Sequence, residues 1–398
     1  MDTIILFSRF ARNISIMKNI SFFPLLALLL CIAGCSQTAK QNPEGFKVYQ
    51  VDLDEKVNPF KKVFAKAEII PLETTDSSLI VWMNRVFPID GKFYIHDIWT
   101  HKLFVYNKEG KFQHQVSRYG KGANEYISLY DCVMDEENDD IYMLSIFGRI
   151  KKFSKDGICK QNMELPPRPH YYSMELLGDK YAALWSCLEP EEGGVLVIDR
   201  FTGDTIVSDW HDDRVFDNQC HKPFHCYNGK VFFGTALRRQ IYEVTTSGLV
   251  PAYLWDFGKD NIRDGQLEYY LNIETSGERN NKVIDDIGTE FLPSYMHSNF
   301  QNSRYAYVSL RLERGMRPAL THVFYDKSSG KPFVFDMLDG ENCKMNNPLY
   351  FGEDYLLTDV LYENRETYKS ILPESEYKKL EAILEDDNPC LLKLYFKK

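Results

Sequence analysis

The sequence predicts an all-β fold, a six-bladed β-propeller of four-stranded antiparallel blades, with a short C-terminal helix and N/C-terminal strand closure. Three observations predict it. Glycines that close a strand–turn–strand unit fall at 110, 157, 203, 248 and 330, so the first three intervals are 47, 46 and 45 residues. A period of about 40–50 residues with several short strands per unit is the mark of a propeller blade. Tyr, Phe and Trp make up 14% of the 398 residues, and aromatic side chains favour strands. Finally, strand-like segments stand without neighbours at both ends of the repeat, as a ring that closes on itself requires.

The units follow in order. DGKFYIHDIWTHKLFVYNKEGKF (90–112) alternates apolar segments with Asp-Gly and Glu-Gly turns, and Gly91 lies 19 residues before Gly110. NDDIYMLSIFGRIKKFSKDG ends at Gly157, and GDKYAALWSCLEPEEGGVLVIDRFTG ends at Gly203 with extra residues around EPEEGG. NGKVFFGTALRRQIYEVTTSG (228–248) repeats the spacing of 19 residues, and SRYAYVSLRLERGMRPALTHVFYDKSSG ends at Gly330 with a longer insertion. The last interval, 82 residues, holds DNIRDGQLEYYLNIETSGERNNKVIDD, which reads as a partly helical surface insertion before blade five. The sixth blade takes FGEDYLLTDVLYE (351–363) and NPCLLKLYFKK (388–398) and borrows the early strand AEIIPLE (67–73). Between the two C-terminal strands, Tyr377, Leu380 and Leu384 recur at helical spacing after Pro373, and Asn388-Pro389 stops that helix.

With 44% hydrophobic residues the chain is rich enough to bury a large core. Large apolar side chains are expected between blades, because one blade cannot bury both faces alone. The net charge of −10, without a Lys/Arg stripe, argues against a nucleic-acid partner.

The N-terminus points to export. From Met17, which has the look of the true start, Lys18 precedes an apolar run from Ile20 to Ala33, too short to span a bilayer. The run ends in IAGC (32–35), which resembles the lipobox of bacterial lipoproteins, whose cysteine carries the lipid. The expected organisation is therefore a signal peptide over 1–34, a lipid-anchored tether over 35–46 with Cys35 as the attachment residue, and the propeller over 47–398. No acidic run follows Cys35, so the periplasmic side of the outer membrane is favoured over the cell surface, and the membrane is a partner through the lipid. Seven further cysteines, at 132, 159, 187, 220, 226, 343 and 390, are odd in number and irregular in spacing, which argues against a disulfide framework or a zinc ribbon.

Several stretches together carry a family resemblance: KAEIIPLETTDSSLI (66–80), the blade-one core, the loop RYGKGANEY (118–126) and the C-terminal EDDNPCLLKLYFKK. They resemble the bacterial six-bladed β-propeller lipoproteins, distantly similar to NHL-type propellers. Gly120, Gly122, Glu125 and Tyr126 match that family's loop after the first blade, whereas Ala123 and Asn124 depart from its usual Pro-Gly. The resemblance implies fold and export and brings no reaction with it.

Motifs of catalysis are missing. None of the six Gly-Lys pairs is followed by Ser or Thr, and there is no G-x-S-x-G or H-E-x-x-H. CHKPFHC (220–226) offers two cysteines and two histidines, yet Phe224-His225-Cys226 precedes the turn that opens blade four. As a first strand it places His225 on the face opposite Phe224 and Cys226, so the four do not converge on one ion without help from elsewhere; a Cys220–Cys226 disulfide, or a site that uses His221 and His225 with a neighbouring blade, stays open. His211, Asp212, Asp213 and Asp217 cluster between blades three and four, where they could bind a divalent cation or act as general acid and base, but a solvated inter-blade loop is the favoured reading. The ligand-binding candidates are His225, His221, Arg238, Arg239, Trp99, Trp185, His170, Tyr171, Arg118 and Glu125, with Tyr172 beside them, all on blade loops or an inner strand. No cofactor is expected, although a central channel has room for Ca²⁺ or Zn²⁺. The leading expectation is a monomeric binding or scaffold module for a glycan, a peptide or a partner protein. The alternative is an enzyme of lactonase or lyase type centred on the channel.

Overall fold

The computed structural model describes residues 45–116, 118–168, 170–186, 194–209, 222–313 and 319–398. Its strands form six antiparallel blades plus one two-stranded pair. Blade one is Met83–Ile89, Lys92–Asp97, Lys102–Asn107 and Phe112–Gln115; blade two is Asp131–Asp135, Asp140–Ser145, Arg149–Ser154 and Cys159–Glu164. Blade three is Ser173–Leu177, Tyr181–Ser186, Gly194–Asp199 and Thr205–Asp209; blade four is Phe224–Tyr227, Lys230–Phe233, Gln240–Thr245 and Gly248–Asp256. Blade five is Tyr295–Gln301, Tyr305–Arg311, Leu320–Asp326 and Lys331–Phe335. Blade six is Tyr350–Phe351, Tyr355–Val360 and Cys390–Phe396, completed by Phe64–Ile70. The closing strand pairs antiparallel with the C-terminal one, Ala67 opposite Leu394 and Ile69 opposite Leu392, and starts three residues earlier than the sequence pattern indicates.

The repeat of glycines has a local cause. The third strand of the first five blades ends in Asn107, Ser154, Asp199, Thr245 or Asp326, and each of these side chains accepts a backbone N–H of the following turn. The turns end on Gly110, Gly157, Gly203, Gly248 and Gly330, all at positive φ, where a Cβ is strained. At Gly110 the constraint is doubled. A Cβ there would lie 1.9 Å from the Pro71 carbonyl oxygen, because the loop after the closing strand lies on the turn and Glu73 N–H donates to the Gly110 carbonyl at 2.8 Å. Gly110→Ala is therefore expected to cost about 2–4 kcal/mol, and Gly91→Ala, where a Cβ meets nothing within 4 Å, about 1–2 kcal/mol. Urea midpoints of the two variants check this; equal losses would sink it.

Two features exceed the expected plan. Lys47–Gln50 adds a fifth, parallel strand to the outer edge of blade four, with Lys47 opposite Tyr253 and Gln50 opposite Asp256. The chain then bridges to the outer strand of blade five, where Val57 N–H donates to the Val334 carbonyl at 2.7 Å and Lys56 pairs with Asp336. A single helical turn, Pro59–Lys62, leads into the closing strand. Residues 47–70 thus form a belt over three consecutive outer edges. The insertion before blade five folds into helices Asp264–Leu271 and Ser276–Asp286, and the one in blade six into Tyr362–Ser370 and Glu374–Glu381.

Large side chains fill the gaps between blades. Phe64, Tyr305, Tyr307, Phe324, Phe335 and Leu394 form one cluster between blades five and six, with Phe64 and Phe324 ring centroids 5.6 Å apart. Antiparallel blades also sort the connections. Turns between first and second strands are short, as at 90–91 and 228–229, and so are those between third and fourth strands. Among the described residues the long connections 116–130, 257–294, 336–349 and 361–389 leave the opposite end, where each first strand begins. One end of the propeller carries tight turns and the other carries loops.

Candidate functional site

The first strands of neighbouring blades contact one another and so line the axial channel. Charged side chains project there from five blades. Arg85, on the first strand of blade one, donates Nη1 to the Cys132 carbonyl at 2.9 Å in blade two. Its Nη2 donates to Glu175 Oε2 at 3.0 Å in blade three, and Nη1 lies 3.6 Å from Asp131 Oδ1. Asp131 also accepts from Ser173 Oγ at 2.8 Å and from Met174 N at 2.9 Å. On the other side Lys222, just ahead of blade four, passes over the Phe300 ring of blade five at 5.7 Å. Its Nζ ends on the Pro348 carbonyl of blade six at 3.1 Å. Two cationic arms therefore hold three blades each, Arg85 joining one to three and Lys222 joining four to six.

Burial disturbs these groups strongly. Arg85 is 9% exposed and Lys222 8%. The two carboxylates hold the guanidinium protonated above its ordinary range, against its burial. Desolvation, with Arg85 as a like-charged neighbour, pulls the Lys222 ammonium down to about 7 despite the attraction of Asp131 and Asp359. Burial raises the Glu175 carboxyl, which Arg85 opposes, and raises Asp359, which accepts from Asn346 Nδ2 at 3.1 Å. Blade five contributes His297, whose Nδ1 meets Asn347 Nδ2 at 2.8 Å. A concentration of shifted ionisable groups on an axis reached from every blade marks the candidate site.

Solvent reaches this layer from the tight-turn end. Along the first strands, residues near the loop end are buried, as are Cys132, Met174 and Phe224. Toward the turns Phe87, Met134, Leu176, Phe300 and Tyr350 are half-buried, and Cys226 is exposed. Its free thiol is nevertheless pushed well up by desolvation and by Glu175, as a group lining a narrow channel should be.

The sequence-predicted residues fall elsewhere. His225 faces blade five as the strand alternation requires, stacked 5.3 Å from Phe232, with Nε2 at 3.3 Å from Tyr253 Oη and 3.4 Å from Gln301 Nε2. Burial lowers its pKa to about 3, and it works as packing between blades. Trp185 is 2% exposed against Phe233 of blade four, ring centroids 5.1 Å apart, and Tyr171 is fully buried with its hydroxyl donating to the Pro166 carbonyl. His170 lies 3.4 Å from Tyr172 Oη, Arg239 donates to the Trp255 carbonyl at 2.7 Å, and Arg238 stands half-buried beside it. Trp99 is 73% exposed on the loop end of blade one, near Trp82, which is 56% exposed. Arg118 and Glu125 are brought together in the parallel pair Arg118–Tyr119 with Glu125–Tyr126. Cys35, His211, Asp212, Asp213, Asp217, Cys220 and His221 lie outside the described residues. The structure thus collects Trp99, His170, Tyr171, Trp185, Arg118, Glu125, Arg238 and Arg239 at the loop end, and only His225 and Cys226 adjoin the axis.

Sequence reasoning missed Arg85, Asp131, Glu175, Lys222 and Asp359. One signal was available: Asn84-Arg85 interrupts the otherwise apolar strand WMNRVFPI, and Glu175 does the same in SMELL. A charge inside a strand that is buried on both faces needs a partner. Among the described residues no group of three or more His, Cys, Asp or Glu is arranged to hold a metal ion, and no helix is long and apolar enough to cross a membrane.

Fold and site together define a six-bladed β-propeller whose axis is crossed by buried charge. The chain belongs to the family described as Domain of unknown function (DUF4934), whose model matches residues 48–395. No curated protein matches the sequence. Among solved structures it is similar to a candidate exported protein from Bacteroides fragilis NCTC 9343, at 18% identity and a TM-score of 0.72, covering 88% of this chain and 100% of that one. A member of the DUF4221 family from Bacteroides vulgatus is similar at 11% identity and a TM-score of 0.49, covering 84% and 98%. The first of these likenesses supports the propeller fold.

Proposed function

We propose that the protein is an exported binding module, lipid-anchored through Cys35 on the periplasmic side of the outer membrane, that takes a polar group of a glycan, a peptide or a partner protein into its axial channel. The observation that carries this reading is the convergence of Arg85, Asp131, Glu175, Lys222 and Asp359 on an axis where Cys226 is open to solvent. Lys222 has three N–H donors and one carbonyl acceptor among the described residues, so it has donors left for a ligand oxygen. The apolar run ending in IAGC supports the anchor, and the B. fragilis neighbour, described as a candidate exported protein, is in keeping with export.

The lactonase or lyase alternative draws on one observation, that Lys222 loses its proton near neutral pH and can act as a base. A Ca²⁺ or Zn²⁺ on the axis would have to displace the Arg85 guanidinium from Glu175 and Asp131.

The test follows maleimide labelling of Cys226, read by mass spectrometry of its peptide, while oligosaccharides and peptides that raise Tm are added. A ligand that slows labelling, and that Lys222→Met no longer binds, supports the channel as the site. A ligand that binds without protecting Cys226, and binds equally well to Lys222→Met, overturns it. Turnover of that ligand would move the assignment to the enzymatic reading.

A further inference from the structure

A second cleft lies away from the channel, where the connection from blade one meets blade two. The segment from Arg118 to Tyr126 folds back on itself. Gly120 N–H donates to the Tyr126 carbonyl at 2.8 Å, and Gly122 N–H donates to Glu125 Oε2 at 2.7 Å. A Cβ on Gly120 or Gly122 would strike the Glu125 carboxylate, at 2.1 and 2.9 Å, so the two glycines make room for the acid. Lys151 Nζ fastens the loop through the Glu125 carbonyl at 2.6 Å, and Asn124 Oδ1 accepts from Cys159 N–H at 3.1 Å. This loop lines a cleft of ≈ 290 Å³.

The cleft is amphipathic. Met143, Tyr126 and Ile127 supply apolar wall, and Lys121, Arg149 and Lys151 supply basic rim. The one acidic side chain lining it, Glu125, already receives the Gly122 N–H. Arg149 pairs with Glu164, whose side chain is 64% exposed, Nε donating to Oε1 at 2.8 Å, while Lys121 and Lys151 have no carboxylate partner among the described residues. On a chain of net charge −10, a concave surface with excess positive charge opposes the background field and concentrates anions. Its volume, at the low end for small-molecule sites, suits a compact ligand.

We propose that this cleft binds a small organic anion, its apolar body against Ile127 and Met143 and its phosphate or carboxylate head between Lys121 and Arg149. The site is independent of the channel. Titration calorimetry of the full chain at low ionic strength, where surface attraction is least screened, tests it with phenyl phosphate, benzoate and the neutral phenyl β-glucoside. Binding of either anion, with affinity falling at least about tenfold in the Lys121→Glu/Arg149→Glu double variant, is the expected result, and which anion binds identifies the head group. Three outcomes overturn the proposal: neither anion binds, the neutral glycoside binds equally well, or the double variant binds as wild type. Both substituted residues are on the surface, so the variant should fold, and its melting curve verifies that. Lys222→Met must leave the anion affinity unchanged; its loss there would place the anion in the channel and overturn the assignment to the cleft.

Discussion

Arg85→Met is expected to cost about 3–5 kcal/mol of stability, the range for removing one partner from a buried charge pair. Arg85 is 9% exposed and its guanidinium joins blades one, two and three. Its loss leaves the Glu175 carboxylate with the Leu176 N–H at 3.3 Å and the Cys226 thiol as donors and no cationic partner within salt-bridge distance among the described residues. Asp131 suffers less, because Ser173, Met174 and Cys132 still donate to it. The deficit should also depend on pH in a definite direction. Burial raises the Glu175 carboxyl in the folded protein, and without Arg85 it rises further. The folded state then binds a proton more readily than the unfolded chain, so acidification from pH 7 toward pH 5 should recover part of the loss. Glu175→Gln in the same background should recover part of it at pH 7. Urea midpoints at the two pH values decide; a deficit that is the same at both and untouched by the second substitution refutes the account.

Lys222→Met should act in the opposite direction and stabilise the protein, by on the order of 2–4 kcal/mol at pH 7. Met keeps the apolar stem against Phe300 and removes an ammonium that has one carbonyl partner and no carboxylate within salt-bridge distance among the described residues. The folded pKa of Lys222 is about 7 and its ordinary value is 10.5. Between those values the unfolded chain holds a proton that the folded chain does not, so wild-type stability should climb with pH through this window and carry the full penalty below it. The Met variant should lack the climb. Tm measured from pH 6 to 10 reads both effects, and parallel curves for the two proteins would contradict the burial of a labile ammonium. A buried charge retained at this cost is what a binding group looks like.

The ring was legible in the sequence because its turns are forced. A residue such as Asn107 or Asp199 caps the third strand, and Gly110 or Gly203 must follow it at positive φ, so period and blade count survive as spacing. Closure was legible because a strand with no neighbour has to find one, although its first residue, Phe64, lies beyond the pattern, past a bulge in the pairing between Phe64 and Lys66. The fifth strand of blade four was not legible. KVYQ is four residues long, pairs in parallel and has no adjoining turn to announce it. The site was hidden for a different reason. Arg85, Asp131, Glu175, Lys222 and Asp359 occupy different places in different repeats, so neither local spacing nor the repeat brings them together. Trp185 and Tyr171, the buried aromatics among the candidates, are packing.

The belt of residues 47–70 sets the load path through the molecule. Tension applied upstream of Gly45 meets first the short parallel strand on blade four, where Tyr49 is wedged 4.5 Å from Tyr325 and 5.0 Å from Tyr253. It meets next the clasp of Lys56 and Val57 on blade five. Only after both have let go does force reach the strand that closes the ring. A pull at the N-terminus is therefore dissipated in attachments that can re-form, and the belt acts as a strain relief, as a clamp on a cable protects the joint behind it.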